Sequence, residues 1–235
     1  MDVSTGAAVA ANLERVSERI ARAAERSGRL PSDVILVAVT KTVATERILE
    51  AIAAGVTHFG ENRVQEAEAK YGPGGIPREG LTLHMIGTLQ RNKARRAAAL
   101  FDWVQSVDRP EIARALDSAA AKPLPVLLEV NLTGEPSKSG VAPGDLPALA
   151  GAVTACARLR PVGLMTIARL DAPEAELRRT FAGLRDLLEK LRSTHPGDWR
   201  HLSMGMSDDY EIAIEEGANI VRLGRAIFGE RPPAR

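Results

Sequence analysis

Along the chain, short runs of apolar, mostly β-branched residues alternate with longer stretches whose apolar positions return every three or four residues. The first pattern predicts strands over 34–39 (VILVAV), 58–62 (HFGEN), 83–87 (LHMIG), 103–107 (WVQSV), 125–131, 161–167, 201–206 and 219–224. The second predicts helices over 45–55, 63–71, 91–100, 110–120, 145–159, 174–193 and 208–217, with a further helix over 7–28 before the first strand. Repeated strand-then-helix order calls for parallel strands joined by crossovers. The runs are almost continuously apolar, as expected when both faces of a strand are covered. Eight such units in 235 residues predict an α/β fold of the (β/α)8 TIM-barrel kind, with residues 1–30 as an extra N-terminal helix packed on the barrel. An open doubly wound sheet is the rival architecture. It is disfavoured because TKTVAT, after the first strand, has none of the glycines of a dinucleotide-binding turn. Only the stretch 71–80 (YGPGGIPREG) reads as a flexible loop, and no shift in composition divides the chain, so residues 1–235 read as one domain.

Composition narrows the function classes. Lysine and arginine total 31 against 30 acidic residues, a net charge of +1, which gives no electrostatic reason to expect a nucleic-acid or membrane-surface partner. The basic cluster Arg91, Lys93, Arg95 and Arg96 in LQRNKARR reads as a solvated helix face, with RNA binding or a partner surface as the alternatives. No stretch approaches the ~20 apolar residues that span a bilayer, so a soluble, cytoplasmic and, on this balanced surface, monomeric protein is expected. The single cysteine, Cys156, excludes an intrachain disulfide and reads as a buried, inert thiol on a helix. The four histidines and this cysteine lack zinc-ligand spacing.

Barrel active sites lie at the C-terminal ends of the strands. Polar residues recur there: Lys41, then Glu61 and Asn62, His84, Asn131, Met165 with Thr166, Ser203 with Ser207, and Arg222, Gly224 and Arg225. Side chains alternate along a strand, so Lys41 shares a side with Val39, Val37 and Ile35. If that side is the interior, the amine enters the barrel mouth, where burial lowers its pKa and favours attack on a carbonyl. The plainer alternative is a lysine that snorkels to solvent. Ser207 and Asp208 lie ahead of a helix start, and Gly224 lets backbone approach closely; together they make either an anion site or ordinary capping. Arg222 interrupts an apolar strand and therefore needs a partner in the barrel mouth. A carbonyl-capturing lysine, an anion site and an inward arginine suit pyridoxal 5'-phosphate (PLP). His84 reads as a satisfied core histidine, with pocket access as the alternative, and His58 and His201 fall at the far end. Lys138 is either a second amine near the pocket or a loop lysine.

The segments AVTKT, FGENRVQEAEAK, HMIGTLQRNKAR, SVDRPEIARAL, VNLTGEPSKSG, PVGLMTI and LSMGMSDDYEIAIEEGANIVRLGRAIFGER follow one another nearly end to end. In this order they resemble the pyridoxal phosphate homeostasis protein family, related in fold to the barrel domain of alanine racemase. The resemblance implies that Lys41 carries PLP as a Schiff base. It also implies that Ser207, Gly224 and Arg225 hold the phosphate, that Arg222 faces the pyridine nitrogen, and that Asn62, Met165, Ser203 and Met204 line the pocket. Two positions depart from the family pattern. Arg225 stands where a small hydroxyl residue is frequent, its guanidinium either joining the phosphate contact or pointing to solvent, and Arg63 stands where an aromatic residue is frequent. A cation opposite the ring nitrogen makes the ring a poorer electron sink, and neither Tyr71 nor Tyr210 is convincingly placed as an opposing base. The expectation is therefore a non-catalytic protein that stores, buffers or delivers PLP, with PLP-dependent apo-enzymes as recipients. The alternatives are an amino-acid racemase of the alanine-racemase type and a Schiff-base aldolase.

Overall fold

The computed structural model describes residues 3–135 and 138–230; Pro136 and Ser137 of GEPSKSG and Arg231 of FGER lie outside the described residues. The strands are β1 (Ile35–Val39), β2 (His58–Glu61), β3 (Thr82–Met85), β4 (Trp103–Val107), β5 (Leu124–Glu129), β6 (Leu159–Met165), β7 (His201–Ser203) and β8 (Ile220–Leu223). They close into a parallel barrel in sequence order, β8 returning to pair with β1. Around it lie α1 (Val3–Arg26), α2 (Thr45–Ala53), α3 (Val64–Tyr71), α4 (Ala94–Leu100), α5 (Pro110–Ala119), α6 (Leu146–Thr154), α7 (Glu174–Thr194), α8 (Tyr210–Glu215) and α9 (Arg225–Phe228). The expected α/β barrel and its leading helix are both present. On α1, Val9, Leu13, Val16, Ile20 and Ala24 recur at helical spacing and are buried, and the helix packs against α2, α8 and α9.

The element ends show where tertiary structure overrides the local pattern. β4 runs as the pattern predicts, whereas β7 stops at Ser203 because the chain turns away at Gly205, whose φ is 94°. The helix expected over 145–159 ends at Thr154, because Leu159 and Arg160 are drawn into the sheet beside Leu124 and Pro125. Cys156 therefore lies beyond the helix end rather than on it, and it is half-buried rather than buried. Burial still pushes its thiol pKa up, against thiolate formation.

Two apolar layers hold the barrel. The larger lies between strands and helices; the smaller fills the interior with Val37, Leu127, Val162, Met165 and Ile220. β6 carries a bulge against β5, since Val126 pairs with Pro161 while Leu127 pairs with Gly163. Gly163 is also registered with His201 of β7, and a Cβ there would collide with the His201 carbonyl oxygen and reach 2.7 Å from its carbonyl carbon. Backbone locked in the ladder cannot yield as a side chain can. Gly163→Ala is expected to lower stability by about 1–3 kcal/mol, seen as a lower urea midpoint; an unchanged midpoint would show that the strands have slack.

Candidate functional site

Val37 belongs to the interior layer, so by alternation Val39 and Lys41 continue the same inward face toward the mouth. Past β1 the chain turns at Thr42, whose φ of 62° is unusual for a β-branched residue. Helix α3 braces this turn. The Thr42 N–H donates to Glu66 Oε1 at 2.5 Å. Lys70 Nζ donates to the same oxygen at 2.7 Å, to Glu61 Oε1 at 2.9 Å and to the Thr40 carbonyl at 2.5 Å. Thr40 Oγ1 donates to Glu61 Oε1 at 2.7 Å and meets the Tyr71 hydroxyl at 3.1 Å. Glu61, on the side of β2 that carries the outer-core Phe59, thus belongs to the brace behind Lys41 rather than to the mouth. Burial pushes its carboxyl pKa up against the opposing pull of Lys70 and Thr40.

Lys41, Asn62, Ser207, Arg222, Gly224 and Arg225 all line one cavity of about 140 Å³, together with Val39. A second cavity, of about 220 Å³, shares Val39, Lys41, Gly224 and Arg225 with it. The structure thus brings six of the sequence-selected residues together. Ser207 Oγ accepts the Ala226 N–H at 3.2 Å, tying the loop after β7 to the first turn of α9. The Arg225 guanidinium pairs with Asp208, and with Glu230 at 3.4 Å, on an exposed side chain at the rim of the cavity.

Arg222 is only 4% exposed. Its Nη1 donates to Ser203 Oγ at 2.7 Å and its Nη2 to the Thr166 carbonyl at 2.9 Å. Burial lowers its pKa to about 10, while the Glu129 and Asp209 carboxylates pull upward. Burial, reinforced by Asp108, raises the Glu129 carboxyl to about 7 against the attraction of Arg222. Glu129 Oε2 is buried and has no hydrogen-bond partner among the described residues. Glu129 and Gln105, absent from the expected site, each break an apolar strand run as Arg222 does.

The remaining selected residues separate into layers. Met165 and Ser203 lie beneath the cavity, inside the barrel. Met204 does not line it: one residue beyond inward Ser203, it points to the outer core and is fully buried there. His84 is a satisfied interior histidine, 3.0 Å from both Gln105 and His58. His58 and His201 stand at the opposite strand ends, where Trp103 packs against His84 and His201. Asn131 organises its own loop by accepting from the N–H groups of Thr133 and Gly134. Lys138 donates to the Ala168 carbonyl at 3.1 Å and pairs with Glu135 at 2.5 Å. Tyr71 is engaged behind β1, and the Tyr210 ring lies under Arg19 of α1, so neither lines the cavity. Arg63 borders a separate groove that also includes Asn62 and Lys93, while Arg91 and Arg95 face Arg114 across another.

Residues 9–232 match the family model described as alanine racemase, N-terminal domain. The chain is 48% identical over 227 residues to the pyridoxal phosphate homeostasis protein of Pseudomonas aeruginosa, covering 95% of this chain and 96% of that one. It is 44% identical over 232 residues to the protein of the same name in Escherichia coli, covering 95% and 97%. The structure of PipY from Synechococcus elongatus with PLP bound matches with a TM-score of 0.81 at 37% identity, covering 94% of this chain and all of that one (100%). Alanine racemase from Corynebacterium glutamicum, at 19% identity and a TM-score of 0.71 over 97% of this chain and 63% of that one, shares the fold. The chain belongs to the alanine racemase N-terminal domain family, among its pyridoxal phosphate homeostasis proteins.

Proposed function

We propose that the barrel mouth binds pyridoxal 5'-phosphate and that the protein stores, buffers or delivers it without substantial catalytic turnover. The observation that carries this reading is the convergence of Lys41, Ser207, Arg222 and Gly224 on one cavity. The donor set fits the group. Lys41 offers an amine at the inward end of β1. Ser207 offers a hydroxyl whose own proton has no acceptor among the described residues. A Cβ at Gly224 would meet nothing closer than 3.4 Å, so bare backbone faces the space between β1 and β8. Ser207 and the N–H groups of Gly224 and Arg225 would hold the phosphate, Arg222 would face the ring nitrogen, and Asn62 would border the ring. Met165 and Ser203 would support it from below, and Met204 only through the packing of β7. When bound, the cofactor supplies an aldehyde reactive toward amines and an electron-withdrawing ring.

Arg222 supports holding over turnover. A guanidinium has no acceptor site and stays charged, so it donates to a ring nitrogen and discourages that nitrogen from taking a proton. The placement of Tyr71 and Tyr210 away from the cavity supports the same reading. The names of the relatives from Pseudomonas aeruginosa and Escherichia coli, and PLP in the PipY structure, agree with it. Residues 1–235 acting as one monomeric, cytoplasmic unit, with PLP-dependent apo-enzymes as recipients, complete the proposal.

Purified protein mixed with PLP is expected to show a visible absorption band, and borohydride is expected to leave a pyridoxyl adduct on the Lys41 peptide. Lys41→Ala is expected to lose both. An adduct spread over surface lysines would overturn the site. Racemisation of alanine by the wild type that Lys41→Ala abolishes would overturn the carrier role in favour of an enzyme.

Glu129 makes the mouth sensitive to pH. Its carboxyl rises from 4.5 to about 7 in the folded protein. A raised carboxyl pKa means that protonation favours the folded state, so this contribution is complete below about 4.5 and lost as pH rises through about 7. Ionisation of Glu129 costs the folded state up to about 3 kcal/mol. Glu129→Gln, which cannot ionise, is expected to gain stability relative to wild type as pH rises from 5 to 8. Urea midpoints at the two pH values check this, and a constant difference between the proteins would refute it.

A further inference from the structure

Arg222 is the first member of a buried hydrogen-bonded line that crosses the barrel interior. Ser203 Oγ, which accepts from Arg222 Nη1, donates to Gln105 Oε1 at 2.6 Å. Gln105 Nε2 meets His84 Nδ1 at 3.0 Å, and His84 Nε2 meets His58 Nδ1 at 3.0 Å. Ser203, Gln105 and His84 are fully buried, and the line steps from β8 through β7, β4, β3 and β2 toward the barrel floor.

The cation sets the direction of the first bond, and the donation from Ser203 to Gln105 sets the rest. A guanidinium can only donate, so Ser203 Oγ accepts from Arg222, and its single proton goes to Gln105. Gln105 uses its carbonyl there, which leaves its amide N–H for His84 Nδ1. That nitrogen must then be an acceptor, and the ring proton sits on His84 Nε2, from which it goes to His58 Nδ1. Reversal would bring two donors, Arg222 and the Gln105 amide, onto Ser203 Oγ and leave the serine proton without its present acceptor. Burial lowers the pKa of both histidines, His84 to about 3, which keeps both rings neutral and able to serve as acceptor and donor at once.

The line shares the interior with an apolar cluster. Val37, Leu127, Val162, Met165 and Ile220 occupy the interior with hydrocarbon. A connected polar row costs desolvation that such a core avoids, and a group that must be aimed is where outer hydrogen bonds act. We propose that Gln105, His84 and His58 are positioning residues that fix the orientation of the Arg222 guanidinium toward the cofactor ring. This rests on the reading that Arg222 faces the ring nitrogen. Ser203 transmits the constraint, and the histidine pair anchors it at the floor.

Two measurements on the full chain test the inference. In cofactor-free wild type at pH 7, imidazole ¹⁵N shifts are expected to show His84 and His58 neutral with the proton on Nε2; a proton on His84 Nδ1 would overturn the assigned direction. With PLP, Gln105→Met and His84→Phe are expected to keep the adduct on Lys41, yet to bind on the order of tenfold more weakly with a displaced absorption band. Unchanged affinity and band in folded Gln105→Met, alongside an altered band in Arg222→Met, would reduce the line to packing. Absence of a Lys41 adduct in wild type would instead remove the cofactor reading, while the ¹⁵N result would stand or fall by itself. Urea midpoints confirm that each variant is folded, and if neither is, the wild-type tautomers still decide the direction.

Discussion

A permanent cation enclosed in a closed β-barrel governs the upper half of this molecule. Arg222 sits where neither bulk water nor a fully bonded carboxylate meets it, and an unmet charge there would cost several kcal/mol. The solution uses neutral dipoles rather than a tight ion pair: the Ser203 hydroxyl, the Thr166 carbonyl and the line through Gln105. Glu129, whose Oε2 has no hydrogen-bond partner among the described residues, contributes attraction, and its carboxyl pKa rises because burial outweighs that attraction. Hydroxyl, amide and imidazole groups on β3, β4 and β7 follow from the same demand. They run as a polar row beside the apolar interior side chains, Val37 being registered with Arg222 itself.

In the proposed site Lys41 presents the reverse problem, an amine that would have to remain accessible on backbone held in place. Its neighbours solve this from outside the barrel. A left-handed Thr42 costs of the order of 1–3 kcal/mol. The Lys70, Glu61 and Glu66 cluster is a partly buried network, and removing one partner of a buried pair costs about 3–5 kcal/mol. The Thr42 N–H donates to Glu66 of this cluster, so the strained turn is tied directly to it. Lys70 also donates to the carbonyl of Thr40, the residue just before Lys41, so the end of β1 is tied to α3. Support and reactivity thus occupy opposite faces of β1, which the period-two alternation of a strand permits.

The barrel was legible because the alternation of strand and helix runs through the whole chain and leaves few topologies open. Lys41, Arg222 and the loops around Ser207 and Gly224 were legible because polar groups at the ends of apolar strands stand out in a linear sequence. What escaped depends on facts that sequence does not state. The family resemblance places Met204 at the pocket, whereas its parity with Ser203 sends it to the outer core. Glu61 was grouped with the mouth although its parity with Phe59 sends it to α3. Gln105 and Glu129 needed the barrel to close before their inward faces could be seen to meet Arg222 and Ser203. The end of α6 before Cys156 was set by β6 pairing with β5, a contact remote from the local pattern that favours a longer helix.

The two cations at the mouth have opposed tasks in the proposed site. Lys41 must shed its proton to act as a nucleophile, so its chemistry is open to adjustment by burial and by a change of partner. Arg222 keeps its charge across the working pH range even with its pKa lowered to about 10. A fixed charge that only donates can hold a ring nitrogen in place but cannot give that nitrogen a full proton, and the electron demand of the ring stays low. A reaction that builds negative charge on a bound amino acid gains little from such a ring. Reversible capture of the aldehyde by Lys41 needs none of that demand. In the proposed site, the geometry around Arg222 would therefore serve retention of the cofactor more directly than chemistry upon it.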